Sequence, residues 1–345
     1  MTAGQVMTVR GPIAAQDLGV TLMHEHLFID LTHLLDPPTV EWQRPLVDSE
    51  LTLATRGLLQ VDPYVSRPNL LLDEPEVTVA ELSPYRQLGG VSIVDLTIAG
   101  IKPRPTSLRQ VSEQSGVNII AGCGYYTQRS HPPEVVALSE AELIERLIHE
   151  IANGLGATDV RPGIIGEIGT SSPIHPDEAK ILRVAAAAQA QTGLAINVHV
   201  AIFHREALAA LDILEAAGAD VSRVVISHLD EQLDTAYHRA ILQRGAWVEY
   251  DTFGSEAYFD GEGSAEPSDR ERLNALIELL DAGWADRLLI AQDVCTKAQL
   301  LKYGGFGYAH ILRSIVPRLQ RRGVDAATVR KLLVDNPARV LSLAS

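Results

Sequence analysis

Six residues that can bind metal ions each stand where a short apolar run ends. Four are histidines and two are acids: His24, His26, Glu167, His199, His228 and Asp293. If the apolar runs are parallel strands of one barrel, all six side chains converge on its C-terminal rim. Four imidazoles and two carboxylates are about what two divalent ions need, with coordination positions left for water. The six residues therefore predict a catalytic metal centre.

The spacing of the residues supports this prediction more strongly than any one residue does. His24 and His26 are two residues apart, which on a strand directs both rings to the same face, while Glu25 points away and is expected to support the structure. A single histidine at a strand end is usually held by backbone groups. A carboxylate buried in an apolar run, as at Glu167 and Asp293, is costly without a cation or several donors.

The elements that must position these residues alternate along the chain. Eight strands are predicted at residues 18–23, 91–97, 117–123, 163–168, 194–199, 223–227, 246–251 and 288–292. Amphipathic helical patterns cover residues 177–191, 204–217, 234–244 and 268–282, and each ends near a glycine. This alternation predicts an α/β fold, a distorted (β/α)8 TIM barrel. The rival open, doubly wound sheet lacks a glycine-rich phosphate motif after the first strand.

The chain is expected to form a single domain, residues 1–345, with three departures from the barrel rhythm. Residues 30–88 form a long excursion after the first strand. Residues 252–267 and 296–310 are loops after the seventh and eighth strands. Both loops leave the catalytic rim, where loops usually determine substrate choice.

Composition excludes several classes of function. The 345 residues carry a net charge of -15, so nucleic acid is not an expected partner, because phosphate binding needs clustered Lys and Arg. No apolar run approaches the roughly 20 residues of a membrane span, and no signal peptide is visible. The two cysteines, Cys123 and Cys295, match no metal or redox spacing and suit a reducing compartment. A cytoplasmic protein that acts on a small molecule is the expectation.

Several motifs resemble those of the phosphotriesterase family of the amidohydrolase superfamily. They are GVTLMHEH at 19–26, GIIGEIGT at 163–170, SHLD at 227–230 and DNP at 335–337. GYY at 124–126, EYDTFG at 249–254 and KYGGFGY at 302–308 are similar to the phosphotriesterase-related (homology protein) branch. The motifs span nearly the whole chain.

The resemblance implies a pair of divalent metal ions, with zinc as the expected metal, and a homodimer. One ion would be held by His24, His26 and Asp293, and the other by His199 and His228. One anionic residue from the fourth strand would bridge them. In the organophosphate-hydrolysing members this bridge is a carboxylated lysine, whereas here Glu167 supplies the carboxylate directly. That departure puts organophosphate hydrolysis in doubt.

The expected chemistry is hydrolysis by a hydroxide that bridges the two ions, because two cations lower the pKa of a shared water. Asp293 is expected to take the proton and pass it towards the leaving group; the alternative is a purely structural ligand. Tyr126 would face the substrate, and Lys297, Lys302 or Arg205 could hold an anionic part of it. For these last residues the alternatives are packing at the barrel mouth and ordinary solvated charges.

The sequence therefore predicts a binuclear metallohydrolase that attacks the carbonyl of a small ester, lactone or N-acyl amide. One alternative is a phosphotriester or phosphoester hydrolase that uses the same centre. Another is a metal-stabilised binding protein without turnover, although a purely structural zinc site would be closed and often rich in cysteine.

Overall fold

A computed structural model describes residues 3–259 and 263–343. Its strands are β1 (Gln5–Thr8), β2 (Gly11–Ala14), β3 (Val20–Glu25), β4 (Ile29–Asp30), β5 (Leu71–Leu72), β6 (Gly90–Asp95), β7 (Asn118–Cys123), β8 (Ile164–Gly169), β9 (Ile196–His199), β10 (Val224–Ile226), β11 (Trp247–Tyr250) and β12 (Leu288–Ile290). The α-helices are α1 (Leu53–Arg56), α2 (Pro75–Gln87), α3 (Pro105–Ser115), α4 (Pro133–Ala137), α5 (Glu140–Asn153), α6 (Pro176–Thr192), α7 (Ala207–Ala216), α8 (Thr235–Gln243), α9 (Asp269–Asp281), α10 (Val316–Arg321), α11 (Ala326–Arg330) and α12 (Asn336–Leu341).

Eight strands form one parallel sheet in the order β12-β11-β10-β9-β8-β7-β6-β3. The two end strands approach each other, and the backbone N–H of Asp293 donates to the carbonyl of His24 at 3.1 Å. The sheet is thus nearly closed into a barrel, with helices outside it. This confirms the predicted distorted TIM barrel, and each of the eight predicted strands is present.

The barrel interior is filled by aliphatic side chains and one tryptophan. A buried cluster collects one residue from, or just before, each barrel strand: Met23, Val94, Ile120, Ile164, Ala195, Val225, Trp247 and Leu289. Val6 of the β1–β2 hairpin joins this cluster. A second, larger apolar cluster lies between the strands and the helices. The barrel is therefore a packed core, and its chemistry must lie at the rim.

The predicted helices are confirmed, and the glycines after them take the backbone conformation that ends a helix. Gly193, Gly218, Gly245 and Gly283 all have positive φ, between +72° and +94°. Glycine adopts this region without the penalty that a Cβ imposes. None of the helices within 3–259 and 263–343 combines the length and the apolar character needed to cross a bilayer.

The predicted excursion after the first strand is partly regular. Residues 30–74 hold short 3₁₀ turns, α1 and a two-stranded antiparallel β4–β5 pair. Helix α2 then packs against β6 and α3 as an ordinary barrel helix. The irregular part therefore ends before α2 and is shorter than the predicted 30–88.

Both predicted rim loops are irregular. Residues 252–259 and 263–267 contain no helix or strand, and 260–262 lie outside the described residues. Residues 296–310 contain two short 3₁₀ turns, Lys297–Gln299 and Leu301–Tyr303.

Gly166 precedes Glu167 in β8 at a point where no side chain fits. Its φ is +123°, and a Cβ there would lie 2.2 Å from the carbonyl oxygen of Asn197 on the neighbouring strand. We expect Gly166→Ala to lower the free energy of unfolding by roughly 3 kcal/mol or more, from overlap and backbone strain together. Chemical denaturation measures this loss.

The matched control is Gly57→Ala. Gly57 has an ordinary φ of -66°, and a Cβ there would meet nothing within 4 Å. If the two variants are equally stable, close packing of β8 against β9 does not fix the backbone beside Glu167.

Candidate functional site

All six predicted metal-binding residues meet at the C-terminal rim of the barrel. His24 lies in β3, Glu167 in β8 and His199 at the end of β9. His26 directly follows β3, His228 lies two residues beyond the end of β10, and Asp293 lies three residues beyond the end of β12. The described residues contain two groups from this set whose ligand atoms lie within 4.8 Å of one another: His24, His26 and Asp293, and Glu167, His199 and His228. These groupings match the two ion sites that the family resemblance implied.

The carboxylate of Glu167 lies between the two groups. Its Oε1 is 3.2 Å from His26 Nε2, and its Oε2 is 3.5 Å from His24 Nε2. The same Oε2 is 3.2 Å from His199 Nδ1 and 3.6 Å from His228 Nε2. Glu167 is therefore positioned to share a carboxylate between two cations.

Asp293 is held in place by its backbone as well as by its side chain. Its φ is +46°, in the left-handed region that non-glycine residues rarely adopt. Both oxygens of Glu25 accept hydrogen bonds from the flanking backbone, from the N–H of Gln292 and of Val294, each at 3.0 Å. The supporting role expected for Glu25 is thus to clamp the turn that carries Asp293.

The imidazoles are oriented by partners that the sequence reasoning did not assign. Asp251 accepts from Nδ1 of His24 at 2.8 Å and lies 3.1 Å from Nδ1 of His228. Thr97 Oγ1 lies 2.8 Å from Nδ1 of His26. Each of these three rings therefore presents Nε2 to the centre, the arrangement typical of histidines that bind metals. The signal for Asp251 was its place directly after the seventh strand.

Asp230 supports this layer from behind. Its carboxylate accepts from the backbone N–H groups of Asp251 and Thr252, both at 3.1 Å, and lies 3.2 Å from Nε of the fully buried Arg272. Its neighbour Glu231 also pairs with Arg272, at 2.7 Å. This buried network fixes the backbone that carries Asp251.

At the rim, buried carboxylates and imidazoles shift one another's pKa values. Burial disfavours the charged form of His24, yet the charges of Glu167 and Asp293 raise the pKa of this imidazole well above its ordinary value. Burial would also raise the pKa of Glu167, but His24 and hydrogen bonds from His199 and His228 lower it well below its usual range. The carboxylates stay ionised only by drawing positive charge to the site.

Metal ions fit this set of donors. His24 Nε2 and Asp293 Oδ1 are buried without a hydrogen-bond partner among the described residues. Four ligands at about 2.0–2.1 Å in a tetrahedron lie about 3.3 Å apart. The distances from Asp293 Oδ1 to Nε2 of His26 and of His24 are 3.2 and 3.7 Å. The residues present can therefore bind a divalent cation in each group.

A cavity of about 340 Å³ opens directly onto the centre. Its lining includes five of the six candidate metal-binding residues: His26, Glu167, His199, His228 and Asp293. Apolar and aromatic side chains also line it, among them Ile29, Leu31, Leu34, Tyr64 and Ile202. Its polar lining residues include Gln128, Arg129, Thr170, Ser171 and Ser172. A space of this size suits a small organic molecule.

Of the predicted substrate contacts, only Tyr126 lines this cavity. Its hydroxyl lies 3.3 Å from His199 Nδ1. Lys297 and Lys302 instead lie near Glu74, at 3.3 and 3.2 Å, and Arg205 pairs with Asp234 at 2.6 Å. These three cations lie outside the lining because carboxylates from neighbouring loops hold them, a pairing that their place in the sequence does not reveal.

The two rim loops line a smaller cavity of about 60 Å³, which Asp293 also lines. Thr252, Ser255 and Glu266 of the first loop and Thr296 and Gln299 of the second line it. Tyr64, Ile202, Asp293 and Cys295 line both cavities. The loops thus border the site on the side of Asp293, while the excursion after β3 supplies Tyr64 to the main cavity.

The fold and the site together define a TIM barrel with a cluster of side chains at its rim that could bind metal ions. A family model described as the phosphotriesterase family matches residues 4–341. The chain belongs to this family and is a hydrolase of it, which confirms the resemblance seen in the motifs.

Known relatives match over nearly their whole length. N-acetyltaurine hydrolase of Xenopus tropicalis is 37% identical over 344 residues, covering 99% of this chain and 98% of that protein. A resiniferatoxin-binding protein from Rhodobacter sphaeroides has a similar crystal structure, with a TM-score of 0.96, 39% identity and coverage of 98% and 95%. The structure of the lactonase Lmo2620 from Listeria monocytogenes gives a TM-score of 0.81 at 26% identity, with coverage of 99% and 100%.

The double contact of Asp251 with His24 and His228 leads to a test. We expect Asp251→Asn to weaken metal binding roughly 10- to 100-fold, because an amide cannot accept from both imidazoles with the strength of a carboxylate. Competition with a chromogenic chelator measures the affinity. Asp212→Asn is the matched control, since Asp212 is an exposed residue of helix α7 that pairs with Arg244 away from the cavity. Equal affinities in the two variants would contradict the role given to Asp251.

Proposed function

We propose that the protein is a binuclear metal-dependent hydrolase that cleaves the acyl bond of a small N-acyl amide, lactone or ester. The observation that carries this proposal is the position of Glu167 between two groups of candidate metal-binding side chains that line a cavity. A purely structural metal site is closed, whereas a catalytic site keeps an open coordination position. Here five of the six candidate ligands line the cavity.

One ion would be held by His24, His26 and Asp293, and the other by His199 and His228. Glu167 would contribute its carboxylate to both ions. Bound there, two divalent cations would lower the pKa of water and polarise the carbonyl oxygen under attack. The nitrogen-rich donor set suits zinc among the metals available to proteins, and zinc remains the prediction. The homodimer and the cytoplasmic location also remain predictions.

Asp293 is the group that we propose to move the proton. The side chain of Asp293 is 17% exposed, whereas that of Glu167 is 3% exposed. Asp293 also lines both cavities. Its carboxylate would accept a proton from the attacking water as oxygen bonds to the acyl carbon. The carboxyl group would then return that proton to the leaving nitrogen or oxygen as the acyl bond breaks, giving a carboxylic acid and an amine or alcohol.

Two observations favour attack at carbon over attack at phosphorus. The relatives include proteins named N-acetyltaurine hydrolase and a lactonase, whose names describe amide and ester bonds. Glu167 also stands where the organophosphate-hydrolysing members that the chain resembles carry a carboxylated lysine. An amide or lactone is therefore the proposed substrate, and a phosphotriester is the second candidate.

A ligand-binding role without turnover has one observation in its favour. The similar structure from Rhodobacter sphaeroides is named a resiniferatoxin-binding protein. Against this role stands the exposed edge of Asp293, because a site that only binds has no need of a proton acceptor beside its ligand. We therefore place the binding role behind hydrolysis.

A substrate panel with the metal-loaded protein tests the proposal. The panel consists of an N-acetyl amine, γ-butyrolactone, a p-nitrophenyl ester and a dialkyl aryl phosphotriester. We expect turnover of the carbon-centred substrates, loss of that turnover on chelation and its return when zinc is added. Fast hydrolysis of the phosphotriester alone would move the assignment to phosphorus, and binding without any turnover would favour the binding role.

The proton transfer has its own test. We expect Asp293→Asn to lower kcat on the best carbon-centred substrate roughly 10²- to 10⁴-fold, since the amide cannot accept a proton. Steady-state kinetics give the loss, and elemental analysis of the same sample separates lost catalysis from lost metal. Full activity in a variant that retains its metal would refute the shuttle.

A further inference from the structure

Arg129 is a cation at the cavity for which the proposed hydrolysis gives no role so far. It is the one Lys or Arg among the residues that line the main cavity, and its side chain is exposed. Within 3–259 and 263–343, no carboxylate pairs with it and no acceptor takes its hydrogen bonds. Lys297, Lys302 and Arg205, by contrast, each have a carboxylate close by.

The backbone that carries Arg129 is held firmly in place. Arg129 is the middle residue of the 3₁₀ turn Gln128–Ser130, which follows β7 and Tyr126. The N–H of Gln128 donates to Glu178 at 2.9 Å, and His131 Nε2 donates to the carbonyl of Tyr126 at 2.7 Å. The guanidinium therefore extends from a fixed base, which lowers the cost of ordering it around a ligand.

The polar groups next to Arg129 are already engaged. Thr170 donates to the carbonyl of His199 at 2.9 Å, and Ser172 donates to Glu206 at 2.7 Å. Glu178 accepts from Gln128, from the N–H and hydroxyl of Ser171, and from the N–H of His175, all between 2.8 and 2.9 Å. Glu178 thus accepts hydrogen bonds from neighbouring backbone and hydroxyl groups, and among the described residues it forms no ion pair with Arg129.

The apolar residues of the same cavity indicate a further part of the ligand. Ile29, Leu31, Leu34 and Ile202 line the cavity together with Arg129 and the candidate metal-binding residues. A molecule that fills this space needs an apolar part, a reactive bond at the candidate metal-binding residues and a negative group for the guanidinium.

We propose that Arg129 is a specificity-determining residue that binds a carboxylate or sulfonate group on the substrate. The substrate class is then an N-acyl amine that carries an anionic group, which rests on the proposed amide hydrolysis. A guanidinium can bind either anion through two parallel hydrogen bonds. The two anions share a negative charge carried by oxygens that accept hydrogen bonds, and this is the property that Arg129 selects.

The test compares two probes that are alike in shape and differ in charge, N-acetyl-β-alanine and its primary amide. For Arg129→Gln we expect kcat/KM on the anionic probe to fall roughly 10- to 100-fold, mainly through KM, because a charge-assisted contact is lost. On the neutral amide we expect a change of less than about twofold. N-acetyltaurine serves as the sulfonate probe and should follow N-acetyl-β-alanine.

Arg183→Gln is the matched control. Arg183 is a half-exposed arginine on α6 that pairs with Glu140 on α5, away from the cavity lining. This variant should leave the kinetics of both probes unchanged. Arg129→Lys should recover part of the preference for the anionic probe, since it restores the charge but not the two-pronged contact.

Equal losses of kcat/KM on both probes, or no loss on either, would overturn the role of Arg129. If the wild type hydrolyses neither probe, the proposed function fails, and calorimetric binding of the same pair to the metal-loaded protein then decides on Arg129. Tighter binding of the anionic probe that disappears in Arg129→Gln would support the selection of anions. Equal binding of the two probes, or no binding, would overturn it.

Discussion

The structure depends on the interaction of the buried Glu167 carboxylate with the imidazoles around it. A carboxylate excluded from water at a barrel rim is unstable unless positive charge or several donors surround it. Four histidines lie close enough to supply this charge or to share cations with it. They come from β3, the residue directly after β3, the end of β9 and the turn after β10. Because the strands converge on one rim, these imidazoles lie near Glu167 and offset the free-energy cost of burying its carboxylate.

Supporting residues turn this cluster into a defined geometry. Asp251 contacts both His24 and His228, and Glu25 holds the backbone on each side of Asp293. Both supports are themselves buried acids, held by backbone N–H groups or by imidazoles. The centre is thus supported by buried acids that do not line either cavity, while other residues of the centre line the main cavity.

The sequence was sufficient to predict the barrel and the convergence of the six candidate metal-binding residues, because both follow from local pattern. Each apolar run predicts a strand, and a His, Asp or Glu at its end predicts a position on the rim. Arg129 and Glu178 could not be found in this way, because their roles depend on a loop after β7 meeting the start of α6. Lys297 and Lys302 do not line the main cavity, and this too could not be predicted, because only the fold brings Glu74 beside them.

The expected extent of the excursion shows the same limit. The distance along the chain between the first two barrel strands indicated an excursion, but not the point at which α2 resumes the barrel rhythm. That Leu31, Leu34 and Tyr64 of this segment would line the cavity could not be read from the sequence. Glu167 and His199, which line the same cavity, lie more than 100 positions further along the chain.

Metal content is the most direct test of the claim that Glu167 joins two ions. Elemental analysis of the purified protein after zinc loading should give about two ions per chain. Glu167→Gln should lose at least one of them, because an amide is a poor bridging ligand. One ion or none in the wild type, with all six residues intact, would mean that the rim is a network of buried polar side chains and not a binuclear centre.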